Sequence, residues 1–77
     1  MVYHINMSPF LSIIIPSYNE SRNIAAGALD AVLQYLESSN YDWELVLSDD
    51  GSTDETPEYL DVFAKKNSRI RVLHNIH

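Results

Sequence analysis

Short apolar runs alternate along the chain with longer segments in which apolar residues recur at helical spacing. Residues 10–15 and 41–48 are rich in Ile, Leu and Val, which is typical of buried parallel strands. Pro16 closes the first run because proline cannot donate to a sheet ladder. Residues 69–74 alternate charged and apolar side chains and predict a third strand at the edge of the sheet.

Two helices are predicted between these strands. The first begins with Ser21 as its N-cap and continues to about residue 38, with an apolar stripe of Ile24, Ala28, Ala31, Val32, Tyr35 and Leu36 that is widened by Leu29 and Leu33. The second begins between residues 53 and 57, because residues 52–55 fit a capping box and Thr56-Pro57 fits an N-cap followed by proline. The sequence does not distinguish between these two start positions for the second helix. Its predicted buried face comprises Tyr59, Leu60, Phe63 and Ala64.

The resulting order, β-α-β-α-β, predicts an α/β fold with a three-stranded parallel sheet in spatial order 3-2-1. Right-handed crossovers would place both helices on one face. Parallel sheets are normally covered on both faces, so we expect residues 11–77 to be the N-terminal half of a larger domain, after a leader over residues 1–10. The first strand would present an unpaired apolar edge beside a bare face of the sheet, and we therefore expect the isolated chain to dimerise, exchange elements or aggregate.

Composition narrows the class of protein. The chain has 77 residues, enough for one small domain, and a net charge of -6, which argues against nucleic acid as a partner. It contains no cysteine, which excludes a disulfide or thiolate metal site and is compatible with the cytoplasm. No apolar run approaches the roughly 20 residues of a membrane span.

Candidate chemistry lies where the two apolar runs end. The second run ends in Asp49 and Asp50, and unpaired carboxylates are costly to bury. They are expected at the carboxyl edge of the sheet, where open α/β sheets bind ligands, beside the polar loop of residues 16–20. Such a rim suits a nucleoside, because the Tyr18 ring can stack on a base and a carboxylate can accept a base N–H. The alternative for Tyr18 is a rim aromatic packed on the first helix.

Two segments together resemble the start of an inverting family 2 glycosyltransferase: LSIIIPSYNE at residues 11–20 and LVLSDDGSTD at residues 45–54. The resemblance covers about residues 11–74. It is strongest to the polyprenyl- or dolichyl-phosphate sugar transferases, because of the Tyr18-Asn19-Glu20 triplet and the long first helix. It implies a Rossmann-like GT-A fold, a UDP- or GDP-sugar donor and a role in glycan or cell-envelope biosynthesis.

The resemblance also implies roles for individual residues. Pro16, Tyr18 and Glu20 would line the nucleoside pocket. Asp50 would accept the N3–H of uracil or the equivalent guanine N–H. The remaining motif residues, which would have structural roles in the loop, are Asp49, Gly51, Ser52 and Asp54. Asp49 would turn back onto local backbone N–H groups, and Asp54 would cap the second helix.

One part of the family pattern is missing. The Asp-x-Asp motif, which holds a divalent metal and the donor diphosphate in the family, does not occur in the chain. We therefore expect neither a metal ligand nor a catalytic residue here, although the complete enzyme would use Mg²⁺ or Mn²⁺. The chain alone would be inactive, and a non-catalytic nucleotide-binding or interaction fragment is the alternative. The complete enzyme would act in the cytoplasm or at the cytoplasmic face of a membrane, attached through later segments.

Two other enzyme and signalling classes also place acids at a strand end. A haloacid-dehalogenase-type phosphatase would need an aspartate where Ser48 stands, since serine cannot form the aspartyl-phosphate. A receiver domain would need a third aspartate at the end of the third strand, which is Leu73-His74-Asn75. His74 and His77 are interpreted as surface residues.

Overall fold

The computed structural model describes residues 3–7 and 10–75. Within these residues a four-stranded sheet has the order β1-β2-β3-β4. Strands β2, β3 and β4 are parallel, and β1 is antiparallel to β2. The strands are β1 (Tyr3–Met7), β2 (Phe10–Ser17), β3 (Asp42–Asp50) and β4 (Ile70–Asn75). The parallel α/β arrangement is thus confirmed, and the three parallel strands lie side by side in the expected 3-2-1 order.

The leader expected over residues 1–10 contains a strand, since residues 3–7 form β1. This strand pairs with β2 from Tyr3 opposite Ile14 to Met7 opposite Phe10. The edge of the first parallel strand, expected to be open, is therefore covered along residues 10–14. A short segment without periodicity carries no strand signal of its own, and pairing with an existing strand is a tertiary effect. The edge of β2 therefore no longer supports the expected self-association of the chain.

Strand β2 also extends beyond the predicted end, since it includes Pro16 and Ser17. The described pairing with β1 runs as far as Ile14. Pairing with β3 continues to Ser17 opposite Asp49.

The predicted first helix is two helices, α1 (Ser21–Ala25) and α2 (Ala28–Glu37). Gly27 separates them with a φ of 98°, a left-handed conformation that interrupts a right-handed helix. The N-cap prediction for Ser21 is wrong, because Ser21 is already helical and Glu20 occupies the cap position.

Helix α3 (Thr56–Ala64) begins inside the predicted window. Glu55 is at its cap position and Pro57 lies in its first turn, where the missing N–H of proline would be unpaired in any case. The capping box proposed for residues 52–55 is not formed through Ser52, whose hydroxyl accepts the backbone N–H of Asn19 instead.

A single apolar core lies between one face of the sheet and helices α2 and α3. Alternate strand residues face it, as the period of two in a strand requires. Its buried members are Leu11, Ile13, Leu29, Leu33, Leu36, Trp43, Leu45, Leu47, Leu60, Phe63 and Ile70. Both helices thus pack on one face of the sheet, as predicted. The predicted apolar faces are confirmed for Leu29, Leu33, Leu36, Leu60 and Phe63, which are buried. The prediction is wrong for Tyr35 and Tyr59, which are exposed, and for Ala28 and Ala31.

The opposite face of the sheet carries the other alternate residues. Ser12 donates to Glu44, and Glu44 pairs with Arg71 of β4. No described helix contributes to a core on this side. Among the described residues, no helix is long and apolar enough to cross a membrane.

Candidate functional site

The candidate site lies at the carboxyl ends of β2 and β3. Ser17, the last residue of β2, pairs with Asp49. Strand β3 continues two residues further than the sequence predicted and includes both aspartates. They are therefore held by the sheet and are not part of the loop that follows. Successive residues of a strand point to opposite faces, so their side chains diverge.

Asp49 points to the helix side of the sheet and its side chain is only 6% exposed. One carboxylate oxygen accepts the backbone N–H of Ser52 at 3.2 Å, and the other lies 3.4 Å from Nδ1 of His74. Burial raises the pKa of Asp49, but the hydrogen bonds from Ser52 and His74 outweigh burial and leave the pKa below its ordinary value. Asp49 thus fixes the turn that follows β3.

Asp50 lies on the other face of the sheet and is partly exposed. Its Oδ1 accepts hydrogen bonds from the Ser48 hydroxyl at 3.2 Å and from the Asn75 amide at 3.3 Å. The same amide donates to Ser48 at 2.7 Å. Asn75 is also directly opposite Asp50 in the sheet register. A cross-strand pair therefore sets the orientation of this carboxylate at the rim.

Asn19 connects the two loops. Its backbone N–H donates to the Ser52 hydroxyl at 3.0 Å, and its side-chain oxygen accepts the backbone N–H of Thr53 at 2.9 Å. Asn19 has a φ of 51° and Gly51 has a φ of 80°, so both loops turn through left-handed residues. Asparagine and glycine are the residue types that most readily adopt this conformation. The sequence alone predicted no separate role for Asn19, although its residue type is consistent with such a turn.

A second set of bonds ties α1 to the start of α3. The backbone N–H of Glu20 donates to the Thr56 hydroxyl at 2.8 Å. Asp54 accepts from the Ser21 hydroxyl at 2.9 Å and from the backbone N–H of Thr56 at 2.8 Å. Hydrogen bonding from Thr56, and to a lesser extent from Ser21, lowers the pKa of Asp54 to about 2 despite the opposing effect of desolvation. The two loops thus form one connected unit.

The residues assigned to the nucleoside pocket occupy this unit and its border. Tyr18 directly follows β2 and is 48% exposed. Glu20 accepts a hydrogen bond from Asn23 at 2.6 Å. Pro16 and Glu20 lie in the wall of a 560 Å³ cleft beside the α1–α2 break, together with Ile24 and Gly27. The structure thus brings the motif residues to one edge of the sheet, while their roles toward a ligand stay predictions.

His74 differs from its interpretation as a simple surface residue. Its side chain is 46% exposed, yet Nδ1 faces Asp49 and Nε2 lies 2.9 Å from Asp61 of α3. The sequence could not predict this contact from residue spacing, because it is the register of the sheet that brings His74 opposite Asp49. The described residues contain no group of three or more His, Cys, Asp or Glu side chains that could hold a metal. His77 lies outside the described residues.

Comparison with known families identifies the family of the chain. The model of the family described as Glycosyl transferase family 2 matches residues 12–77. The chain belongs to this family. The match includes both strand ends and the loops that follow them. It also confirms the family and the glycosyltransferase class expected from the two motifs.

Curated members of the family are similar over most of the chain. A dolichyl-phosphate beta-glucosyltransferase of Saccharomyces cerevisiae is 48% identical over 50 residues, which are 65% of this chain and 15% of that protein. Glycosyltransferase GlyG of Streptococcus pneumoniae is 35% identical over 88% of the chain and 21% of its own length. A teichuronic acid biosynthesis glycosyltransferase, TuaG, of Bacillus subtilis is 38% identical over 90% of the chain and 26% of its own length. The chain thus spans a quarter or less of most of these glycosyltransferases. No solved structure matches the chain.

Proposed function

We propose that the chain is the nucleotide-binding N-terminal part of an enzyme that transfers a sugar from a UDP- or GDP-sugar to an acceptor. The observation that carries this proposal is the Asp50 carboxylate at the rim of the sheet. Ser48 and Asn75 both donate to one oxygen, Oδ1, which orients the carboxylate without neutralising its charge. A fixed carboxylate at a strand end is suited to accept the N–H of a pyrimidine or purine base.

The neighbouring loop would supply the rest of the nucleoside subsite. Tyr18 is half-exposed directly beyond β2, and its ring offers a stacking surface for the base. Gly51 has no side chain and a positive φ, so the backbone there can approach a ligand closely. Pro16 and Glu20 would border the subsite. These residues bind and orient the donor; none of them is proposed to be catalytic.

We further propose a polyprenyl phosphate as the acceptor. The support is the yeast relative, whose name specifies a dolichyl phosphate, together with the Tyr-Asn-Glu triplet. In the proposed transfer the acceptor oxygen bonds to the anomeric carbon, while the bond from that carbon to the nucleoside diphosphate breaks and the electron pair leaves with the diphosphate. A phosphate acceptor is already ionised at neutral pH, so it makes little demand on a general base. We place the reaction at the cytoplasmic face of a membrane.

A divalent metal is proposed for the complete enzyme, but the described residues do not fit one. They contain no cluster of three candidate ligands, and the chain lacks an Asp-x-Asp sequence. We therefore propose that Mg²⁺ or Mn²⁺ and any base are held by residues outside this chain. The same observation supports the alternative that the isolated chain is a non-catalytic nucleotide-binding fragment.

Calorimetry with UDP and GDP, with and without Mn²⁺, tests the proposal on the full-length protein that contains this chain. Asp50→Asn replaces an acceptor oxygen with an amide donor facing the base N–H. It should weaken binding by about 2–3 kcal/mol, which is roughly 30- to 150-fold. The isolated chain should bind no more tightly than about 1 mM, since it lacks a site for the diphosphate.

The matched control is Asp42→Asn, at the opposite end of the same strand. Asp42 is an exposed partner of Arg69, and its substitution should leave nucleotide affinity unchanged. Tyr18→Ala should weaken binding somewhat less than Asp50→Asn. Unchanged affinity in Asp50→Asn would overturn the assignment of Asp50.

A further inference from the structure

His74 joins the candidate site to helix α3 through two carboxylates. Its Nδ1 lies 3.4 Å from Oδ2 of Asp49, and its Nε2 lies 2.9 Å from Oδ1 of Asp61. The two acids differ in exposure, since the Asp49 side chain is 6% exposed and that of Asp61 is 57% exposed. The imidazole ring is thus the link between a buried motif residue and the protein surface.

The protonation state of His74 decides whether both contacts can be hydrogen bonds. A neutral imidazole donates from one nitrogen only, so one carboxylate would then face a nitrogen lone pair. The imidazolium donates from both nitrogens. Hydrogen bonding with Asp61 and then with Asp49 accordingly raises the pKa of His74 against the smaller effect of burial.

The charged groups around the ring all favour this protonated form. Asp49 faces it from β3 and Asp61 faces it from α3. Arg71, on the same strand, lies on the opposite face of the sheet, where it pairs with Glu44. The structure therefore describes no cation beside His74 that would oppose its charge.

Asp49 transmits the effect to the loop. While Oδ2 faces His74, Oδ1 accepts the backbone N–H of Ser52. That hydrogen bond closes the turn through Gly51, which follows Asp50 directly. A carboxylate held at both oxygens cannot rotate without breaking one of these contacts.

We propose that His74, as an imidazolium bridging Asp49 and Asp61, is a positioning residue for the turn of residues 49–52. Its consequence for nucleotides rests on the proposed function of Asp50. The protonated form holds the turn, so its contribution to the stability of the turn is fully present at pH values below the ordinary pKa of histidine. It is lost as the pH rises through the higher pKa of the folded chain.

The turn can be tested without a nucleotide by NMR on the 77-residue chain. We expect the Ser52 amide resonance to change with pH at the same midpoint as the His74 ring, above the ordinary value for histidine. Asp61→Asn keeps an oxygen acceptor at Nε2 and removes a charge, so both midpoints should move together to lower pH. Asp61 is exposed, so this substitution should leave the chain folded.

Nucleotide binding is followed by titrating UDP and GDP into the full-length protein that contains this chain, and into its variants. Affinity should fall about fivefold, the lower end of typical couplings between sites, as the pH rises through the His74 midpoint. His74→Gln should bind at the weaker level and lose this step. Arg71→Gln, on the same strand but on the opposite face of the sheet where Arg71 pairs with Glu44, is the matched control and should keep both the affinity and the step.

The outcomes separate this inference from the proposed function. A Ser52 resonance that ignores the His74 midpoint overturns the positioning role, whatever the nucleotide result. A Ser52 resonance that follows the midpoint, with no UDP or GDP binding by the full-length protein at any pH, supports the positioning role and overturns the proposed function. Binding that weakens equally at all pH values in Asp61→Asn, with an unmoved midpoint, would indicate a merely structural contact and overturn the inference.

Discussion

At the scale of single residues, the site depends on short polar side chains that accept backbone N–H groups. Asn19 accepts from Thr53, Asp49 from Ser52, and Asp54 from Thr56. Each bond satisfies a donor that the end of a strand or the start of a helix leaves unpaired. Local polar hydrogen bonds therefore hold these loops together.

Asn19→Ala should destabilise the chain by about 2 kcal/mol. It removes one acceptor, worth about 1 kcal/mol, and forces alanine into a left-handed conformation at a similar cost. Asn19→Gly is the control, since it loses the acceptor but tolerates the positive φ and should cost about half as much. Urea unfolding measures both. Equal effects of the two substitutions would show that backbone conformation contributes nothing at this position.

Asp54 should make the stability of the folded chain depend on pH in the acid range. Because hydrogen bonds lower its pKa from 3.8 to about 2, the folded state gains from the charged carboxylate above its ordinary pKa. This gain should disappear as the pH falls through about 2. Thermal unfolding of the chain and of Asp54→Asn should therefore differ most near neutral pH and converge in acid. A difference that is constant across this range would contradict the role of the charge.

At the scale of elements, the most informative feature is the break between α1 and α2. Apolar spacing continues across it, so residues 21–38 have the pattern of one helix. Gly27 interrupts them, and its φ of 98° lies outside the range of a right-handed helix. The break allows α1 to remain at the site, where Ser21 bonds to Asp54, while α2 packs on the sheet.

Gly27→Ala distinguishes a broken helix from a continuous one. Nothing lies within 4 Å of the position of an added Cβ, so only the backbone conformation should oppose the substitution. We expect a destabilisation of about 1 kcal/mol, measured by urea unfolding. In a continuous helix the same change would stabilise by a similar amount. Gly27→Asn, which tolerates a left-handed conformation, is the control and should be milder.

At the scale of the whole molecule, packing is one-sided. Helices α2 and α3 cover one face of the sheet, and the apolar core lies there. On the other face Leu73 is 49% exposed and lies in register with Ser48, whereas Val46 is buried. An exposed apolar side chain on an uncovered sheet face favours association. Since β1 covers part of the β2 edge, the open face is the better basis for the expected self-association.

The isolated chain should therefore associate as its concentration rises, through the open face of the sheet. Leu73→Lys should shift sedimentation toward the monomer by adding a charge to this face. Val62→Lys is the matched control, because Val62 is 60% exposed on α3, on the covered side. A well-folded monomer at high concentration, or equal effects of both substitutions, would contradict this prediction.

The sequence by itself determined the order of elements, the parallel sheet and the edge that carries the motifs. These follow from local patterns, because apolar runs form strands, helical spacing forms helices and charged residues avoid the core. It also pointed to the family through residues 11–20 and 45–54.

Only the tertiary structure decided the contacts between segments distant in the chain. The pairing of β1 depends on a free strand edge and not on its own residues. Asn19, Thr56 and His74 have roles because folding brings their partners within hydrogen-bond distance. The break at Gly27 was also not predictable from the sequence, since the spacing of apolar residues indicates which face of a helix is buried but not where the backbone leaves the helical conformation. The pattern of apolar and polar residues along a chain indicates which residues are buried, whereas these hydrogen bonds depend on the register of the sheet and the position of the loops.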